Sequence, residues 1–411
     1  MATDALLPAE SLARYADAIV KASLGVGKGD TFVVQGEPEH RELLVAVAES
    51  AYRAGAQWVD VITGDPLVMR ARLAYGSDAA LGSLSPWAKR RYQELAGPRG
   101  AFAAIAGEGE AGYLDGISPK RIATDFTRGS KATAFIRKAR LNMTARWTIA
   151  AWPTNYWAGQ VYPNLPVEKA KRKLAQDLLW FCRLGDDDPA GTKGWLDHVR
   201  AVTRRSEKLT KLALTRVELR APGTALDLGL SPGTRWLGGL ETTPEGKKLA
   251  ANMPTEETFT SPNAGAVEGT FRCTFPLNFR GRLISGLRGE FRGGRLVRLD
   301  ADSDDDRDFV AAYIDSDANG RRLGEVALVD SSSRIGQRKR VYYNTLLDEN
   351  AATHIAFGSG FGSTRSEKPA RGVNQSQTHL DVMIGSPKLE ATGIDARGRR
   401  VPLIHDGAWQ I

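Results

Sequence analysis

The chain has 411 residues, 42% hydrophobic and 25% charged, and carries a formal net charge of +8. That length exceeds one ordinary hydrophobic core, so two domains are expected, and the composition excludes a disordered or fibrous chain. The basic residues are scattered and interleaved with acids, as in the run Ser303–Asp308, and no nucleic-acid module accompanies them, so the charge is read as solvated surface and nucleic acid is not an expected partner.

The first twenty residues lack a basic segment followed by an apolar one, so no signal peptide is expected. Nor does any apolar run approach the ~20 residues that cross a bilayer, and a cytoplasmic protein without membrane contact is the expectation. Apolar positions at helical spacing predict a helix over 9–22, which GVGKGD (25–30) breaks. TFVVQ (31–35) reads as a buried strand, 40–56 as an amphipathic helix and QWVDVIT (57–63) as the next strand. That order predicts a right-handed βαβ unit on a parallel sheet. Further strands are expected at 101–107 and 147–153, and helices at 118–139, 167–183 and 192–209. Trp147, Trp152 and Trp157 suit either a substrate pocket or core packing. Cys182 and Cys273 lie far apart without metal-ligand spacing, as reduced structural thiols do.

From about residue 212 the segments become short and alternating, with Gly, Pro, Asp and Asn between them. The GG of FRGGRLV is a hairpin signal. Helices are expected over 305–316 and through ENAATHIAF. The fold class is therefore α+β in two domains: an α/β domain with a mostly parallel sheet over 1–210, and a strand-rich, mixed or antiparallel domain over 211–411.

The second domain holds the chemistry-bearing residues: Glu257, Glu325, Glu349, His354, His379 and Asp381. Carboxylates and neutral imidazoles are ligands for zinc, cobalt or manganese, and two histidines with four carboxylates suffice for two ions. In HLD (379–381), alternation along a strand puts His379 and Asp381 on one face. Glu349 lies five residues before His354, off the three-or-four spacing of a helix face, so both reach one ion only if the segment begins as a turn; otherwise Glu349 orients a ligand from behind it. Glu256 and Glu257 point apart, so one of them reaches a metal. Glu325 opens an apolar strand and needs a partner, an ion or else Arg321 or Arg322. Other motifs are absent: GVGKGD is no P-loop, GSGFGS (358–363) is a glycine short of a dinucleotide loop, and there is no nucleophile elbow. His40, His198 and His405 stand alone, as surface or capping residues.

ANMPTEETFTSP, RRLGEVALV, YYNTLLDENAATHIAFG, HLDVMIGS and VPLIHDGAW, with AYRAGAQWVDV and AAWPTNYWAGQVYP in the first half, resemble the aminopeptidase T, aminopeptidase S and PepS family of dinuclear metallo-aminopeptidases, the thermophilic metalloproteases. The resemblance spans nearly the whole chain. It implies a catalytic domain over 211–411 and two divalent ions (Zn, Co, Mn or Mg) on Glu257, Glu325, Glu349, His354, His379 and Asp381, with Glu257 rather than Glu256 as ligand. It also implies peptides with a free N-terminus as substrates, and a homodimer whose active sites face an enclosed cavity. Glu257 or Glu325 is the expected general base, taking a proton from water that the ions activate.

One position departs from the family. A tyrosine usually lies seven residues after the histidine of the DENAA–H segment and is held to stabilise the tetrahedral intermediate; here that residue is Phe361. The loop from there to HLD also looks shorter. Ser359, Ser363 or Tyr343 could substitute as donor; otherwise the protein is a weakened peptidase or has shifted to other chemistry. The 2,5-dihydroxypyridine dioxygenases, which use one ferrous ion, look like distant relatives and supply the alternative, although the retained Glu257 and Glu325 favour two ions.

Overall fold

The computed structural model describes residues 5–411 apart from 108, 110, 111, 142 and 281. The chain forms two compact units, Met1–His198 with Leu240–Pro254, and Val199–Gly239 with Thr255–Ile411. The expected division at 210/211 coincides with the end of the helix Thr192–Lys211, whereas the units part within that helix. The return of 240–254 to the first unit is a non-local pairing: Ile149 donates to the Ala251 carbonyl, and Met253 donates back to that of Ile149.

The first unit is built on a four-stranded sheet, β1 Thr31–Gly36, β2 Trp58–Thr63, β3 Gly100–Ala106 and β4 Arg146–Ala151, in the order β2-β1-β3-β4. All pairs are parallel, with the helix Arg41–Arg53 linking β1 to β2 as the alternation predicts. Phe32, Val33 and Val34 are buried in succession, the run expected of a parallel strand covered on both faces. The helix expected over 118–139 is two, Pro119–Ala132 and Ala134–Leu141. They part at Thr133, whose hydroxyl bonds back to the Gly129 carbonyl and competes with the helical ladder. Helices Pro66–Tyr75 and Pro86–Leu95 escaped the sequence reading, yet their signals were local: proline in the first turn, and Asp65 and Ser85 capping Leu67 and Ala88 N–H. Trp152 and Trp157 are fully buried and Trp147 packs against a core cluster, so these three are packing residues. His40 is also buried; its Nδ1 accepts the Glu37 N–H, so it is a capping residue inside the core rather than at the surface.

The turn GVGKGD delivers Asp30 to a buried ion pair. Its carboxylate accepts the Gly27 N–H and lies 2.9 Å from Arg146 Nη2 and 3.3 Å from Lys247 Nζ. Arg146 Nη1 also donates to the Leu24 and Gly25 carbonyls. Removing one member of such a pair leaves the other charge desolvated, a loss of about 3–5 kcal/mol. Asp30→Ala should therefore lower the denaturation free energy by about that much, read from urea midpoints; a loss under about 1 kcal/mol would show that Arg146 is solvated there.

The second unit contains an eight-stranded antiparallel sheet running Arg295–Asp300, Arg288–Arg292, Val267–Arg272, Thr224–Gly229, Leu214–Ala221, Glu390–Asp395, Arg400–His405 and Ala408–Trp409. The GG signal is realised as the tight connection between the first two, with Gly293 and Gly294 at φ +55° and +75°. A second antiparallel sheet orders His379–Met383, His354–Gly358, Leu323–Leu328 and Thr258–Thr260. Phe271, Phe291 and Phe357 join these elements in one core cluster. The helix Asp304–Ile314 starts where expected, with Ser303 capping Asp306 N–H. Cys182 and Cys273 are free and buried.

The helix expected through ENAATHIAF is not there. Thr345–Glu349 is helical, Asn350 ends it by bonding the Leu346 carbonyl, and His354–Gly358 is a strand. This strand lies between two partners and is wholly buried, so its backbone is satisfied from both sides. Tertiary pairing here overrides the helical preference of an alanine-rich segment.

Candidate metal centre

The six residues singled out by sequence converge on one face of the smaller antiparallel sheet. His354 opens the central strand, and His379 and Asp381 lie on the neighbouring one. Glu325 sits on the other side, Glu257 immediately precedes Thr258–Thr260, and Glu349 ends the short helix. Register explains the shared face. Ala356 is paired with Glu325 on one side and Asp381 on the other, so these three side chains point the same way. His354 and His379, two residues from Ala356 and Asp381, share that face.

Three sets of donor atoms, one per residue, each lie within 4.8 Å of one another: Glu257, Glu325 and His354; Glu325, His379 and Asp381; and Glu349, His354 and Asp381. His354 Nε2 is 3.3 Å from Glu257, and His379 Nε2 is 3.5 Å from Glu325 and 3.3 Å from Asp381. Each Nδ1 faces a backbone carbonyl, Ala352 at 3.2 Å and Ser359 at 3.0 Å. A carbonyl can only accept, so Nδ1 carries the proton and a neutral ring turns its Nε2 lone pair to the acids, the tautomer a metal ligand needs.

The electrostatics are those of a site short of positive charge. Burial, reinforced by the charges of Glu257 and Asp381, raises Glu349 well above the ordinary carboxyl range, and burial also raises Glu325. For His354 burial opposes protonation, but the bond to Glu257 and its charge outweigh this and lift the imidazole to about 10. Burial likewise opposes protonation of His379, which the charge of Asp381 raises well above the ordinary value. Divalent cations would supply the missing positive charge, and the set of carboxylates and imidazoles fits them.

The neighbours sort the sequence alternatives. Arg321 is engaged by Asp315 and Arg322 by the Ala264 carbonyl, so neither neutralises Glu325. Glu256 belongs to none of the three donor sets; its N–H donates to Asn350 Oδ1. Phe361 lies over the centre, its ring 5.7 Å from His379 and 5.1 Å from Phe259. Ser359 contributes its carbonyl to His379 rather than its hydroxyl.

The sequence reading missed Ala356, whose small side chain leaves the space between Glu325 and Asp381 open; only the register reveals it. Ala356→Leu should weaken metal retention by about 10–100-fold, read by competition with a chromogenic chelator. Unchanged retention would mean that no ion occupies that face.

The chain matches the thermophilic metalloprotease (M29) family over residues 9–409. It belongs to that family. It is 33% identical to aminopeptidase T of Thermus aquaticus over 98% of this chain and 99% of that one. Its structure superposes on wild-type AmpT from Thermus thermophilus with a TM-score of 0.89 at 31% identity, covering 98% of this chain and 99% of that one. The 2,5-dihydroxypyridine dioxygenase of Pseudomonas putida gives a TM-score of 0.53 at 12% identity over 98% of both chains, a likeness of fold alone. Among the described residues no helix is long and apolar enough to cross a membrane.

Proposed function

We infer that the protein is a metal-dependent aminopeptidase whose centre takes two divalent ions on Glu257, Glu325, Glu349, His354, His379 and Asp381. The observation that carries this is the convergence of four carboxylates and two correctly oriented imidazoles on one face of the sheet. Glu325 belongs to one donor set with each histidine, so it would help to hold a cation beside either imidazole. When bound, such ions acidify a water and polarise the scissile carbonyl. The protein's own part is to hold and move protons: Glu257 and Glu325, each within 3.5 Å of a histidine Nε2, are the carboxylates placed to accept the proton of the attacking water and return it to the leaving amine. His379 keeps 34% of its side chain exposed, while Glu257, Glu325 and His354 are buried, so substrate is expected from the His379 side.

The test is metal content together with proton release. At pH 7.5 a metal-free His354 with a pKa of about 10 is protonated and must lose that proton to ligate. Zinc or cobalt loading should therefore bind two equivalents per chain, release protons, restore hydrolysis of leucyl anilide, and tighten as pH rises. Calorimetry in buffers of different ionisation enthalpy reads the protons. One equivalent, or no proton release, would overturn the two-ion centre. A second reading, a weakened or altered enzyme on the same fold, rests on Phe361. A single-iron oxygenase would instead consume oxygen with an aromatic substrate. A homodimer is the accompanying expectation, read by sedimentation.

A further inference from the structure

A crevice of ≈ 570 Å³ lies in the first unit, outside the carboxyl ends of β1, β2 and β3. The order β2-β1-β3-β4 reverses between β1 and β3, because β2 is added on one side of β1 and β3 on the other. Open α/β sheets bind ligands at such a switch point, where the connections leave in opposite directions. Here Gln35 and Gly36 of β1 face Ala106 and Gly107 across the opening.

The far wall is one face of the helix Ala134–Leu141 with the residue before it, Thr133, Ile136, Arg137 and Arg140 at helical spacing. Arg140 is the unusual member. Its guanidinium lies over the Phe102 ring at 4.5 Å, its Nε is buried without a hydrogen bond, and no carboxylate among the described residues pairs with it. Burial lowers its pKa from the ordinary arginine value, though the Tyr92 phenol opposes this. Stacking on Phe102 uses the face of the guanidinium and leaves its N–H edge for a planar acceptor. The rest of the lining is mixed: Phe102, Ile136 and Ala104 are apolar, Ser130 and Tyr92 carry hydroxyls, and Glu37 brings a carboxylate that suits the ammonium of an α-amino acid.

We propose that this crevice is a second binding site, for small carboxylates with an apolar body, whose carboxylate is held by the Arg140 guanidinium stacked on Phe102. A carboxylate matches the guanidinium edge with two parallel hydrogen bonds and supplies a counter-charge that none of the described residues is seen to give Arg140. An apolar body covers Phe102 and Ile136. Free α-amino acids and dicarboxylates both present this chemistry.

The experiment is calorimetric titration of the full, metal-loaded chain with leucine and, separately, with succinate. Binding of either is expected, leucine alone pointing to amino acids and succinate alone to dicarboxylates. Arg140→Met, which keeps the contact with Phe102, should weaken it by about tenfold or more while leaving leucyl anilide hydrolysis unchanged. Ala104→Leu fills the crevice from the opposite wall and should also abolish binding. The pair His354→Ala with His379→Ala should retain it, which separates this site from the metal centre. Undiminished binding in Arg140→Met, its loss with the histidine pair, or the absence of binding by both carboxylates would overturn the proposal.

Discussion

Replacing His354 and His379 together by alanine is expected to abolish metal retention and to lower peptide hydrolysis by at least about 10³-fold, because the several kcal/mol that the ions contribute to the barrier disappear with them. Charge contributes to this loss as well as coordination. Each histidine faces a carboxylate within 3.5 Å, and each is fixed by a carbonyl behind it. Without the rings, four acids remain within one cluster and no neutral nitrogen donor is left among them. Metal analysis after desalting and hydrolysis of leucyl anilide with added cobalt read the two effects independently. Circular dichroism checks that the fold survives. A folded double variant that still turned over at the wild-type rate would remove the six-residue centre from the mechanism.

Phe361→Tyr is expected to raise kcat by about 10²–10³-fold with KM changed only a few-fold, the signature of a donor that acts in the transition state. The position is well anchored for the exchange. The Phe361 N–H donates to Ser261 Oγ at 2.9 Å, and the ring packs edge-on to His379. The substitution adds one hydroxyl to a ring whose place is already set by Ser261 and Phe259. Buried phenols need a partner, and a developing oxyanion beside His379 would be one. An unchanged kcat would show that another group already meets the oxyanion, and the weakened-peptidase reading would fall.

How far the site was legible varied with the range of the interaction. His379 and Asp381 were placed on one face by strand alternation, a rule that needs two residues and no partner. The relation of Glu349 to His354 was misread as helical because alanines favour a helix locally, while pairing on both sides of His354–Gly358 decides otherwise. The choice of Glu257 over Glu256 came from resemblance; in the fold, Glu257 faces His354 while the Glu256 N–H donates to Asn350 Oδ1.

The sequence by itself determined the residue types of the centre, the alternation that builds the parallel sheet, the antiparallel character of the second half and the family. These are properties of short windows or of matching residues, where neighbours along the chain carry the information. Only the tertiary structure decided that Ala356 sits between Glu325 and Asp381, that each histidine Nδ1 meets a carbonyl, that residues 240–254 return to the first unit, and that the Arg140 guanidinium lies over Phe102. Those facts depend on register, burial and pairing between segments distant in sequence, which no local periodicity encodes.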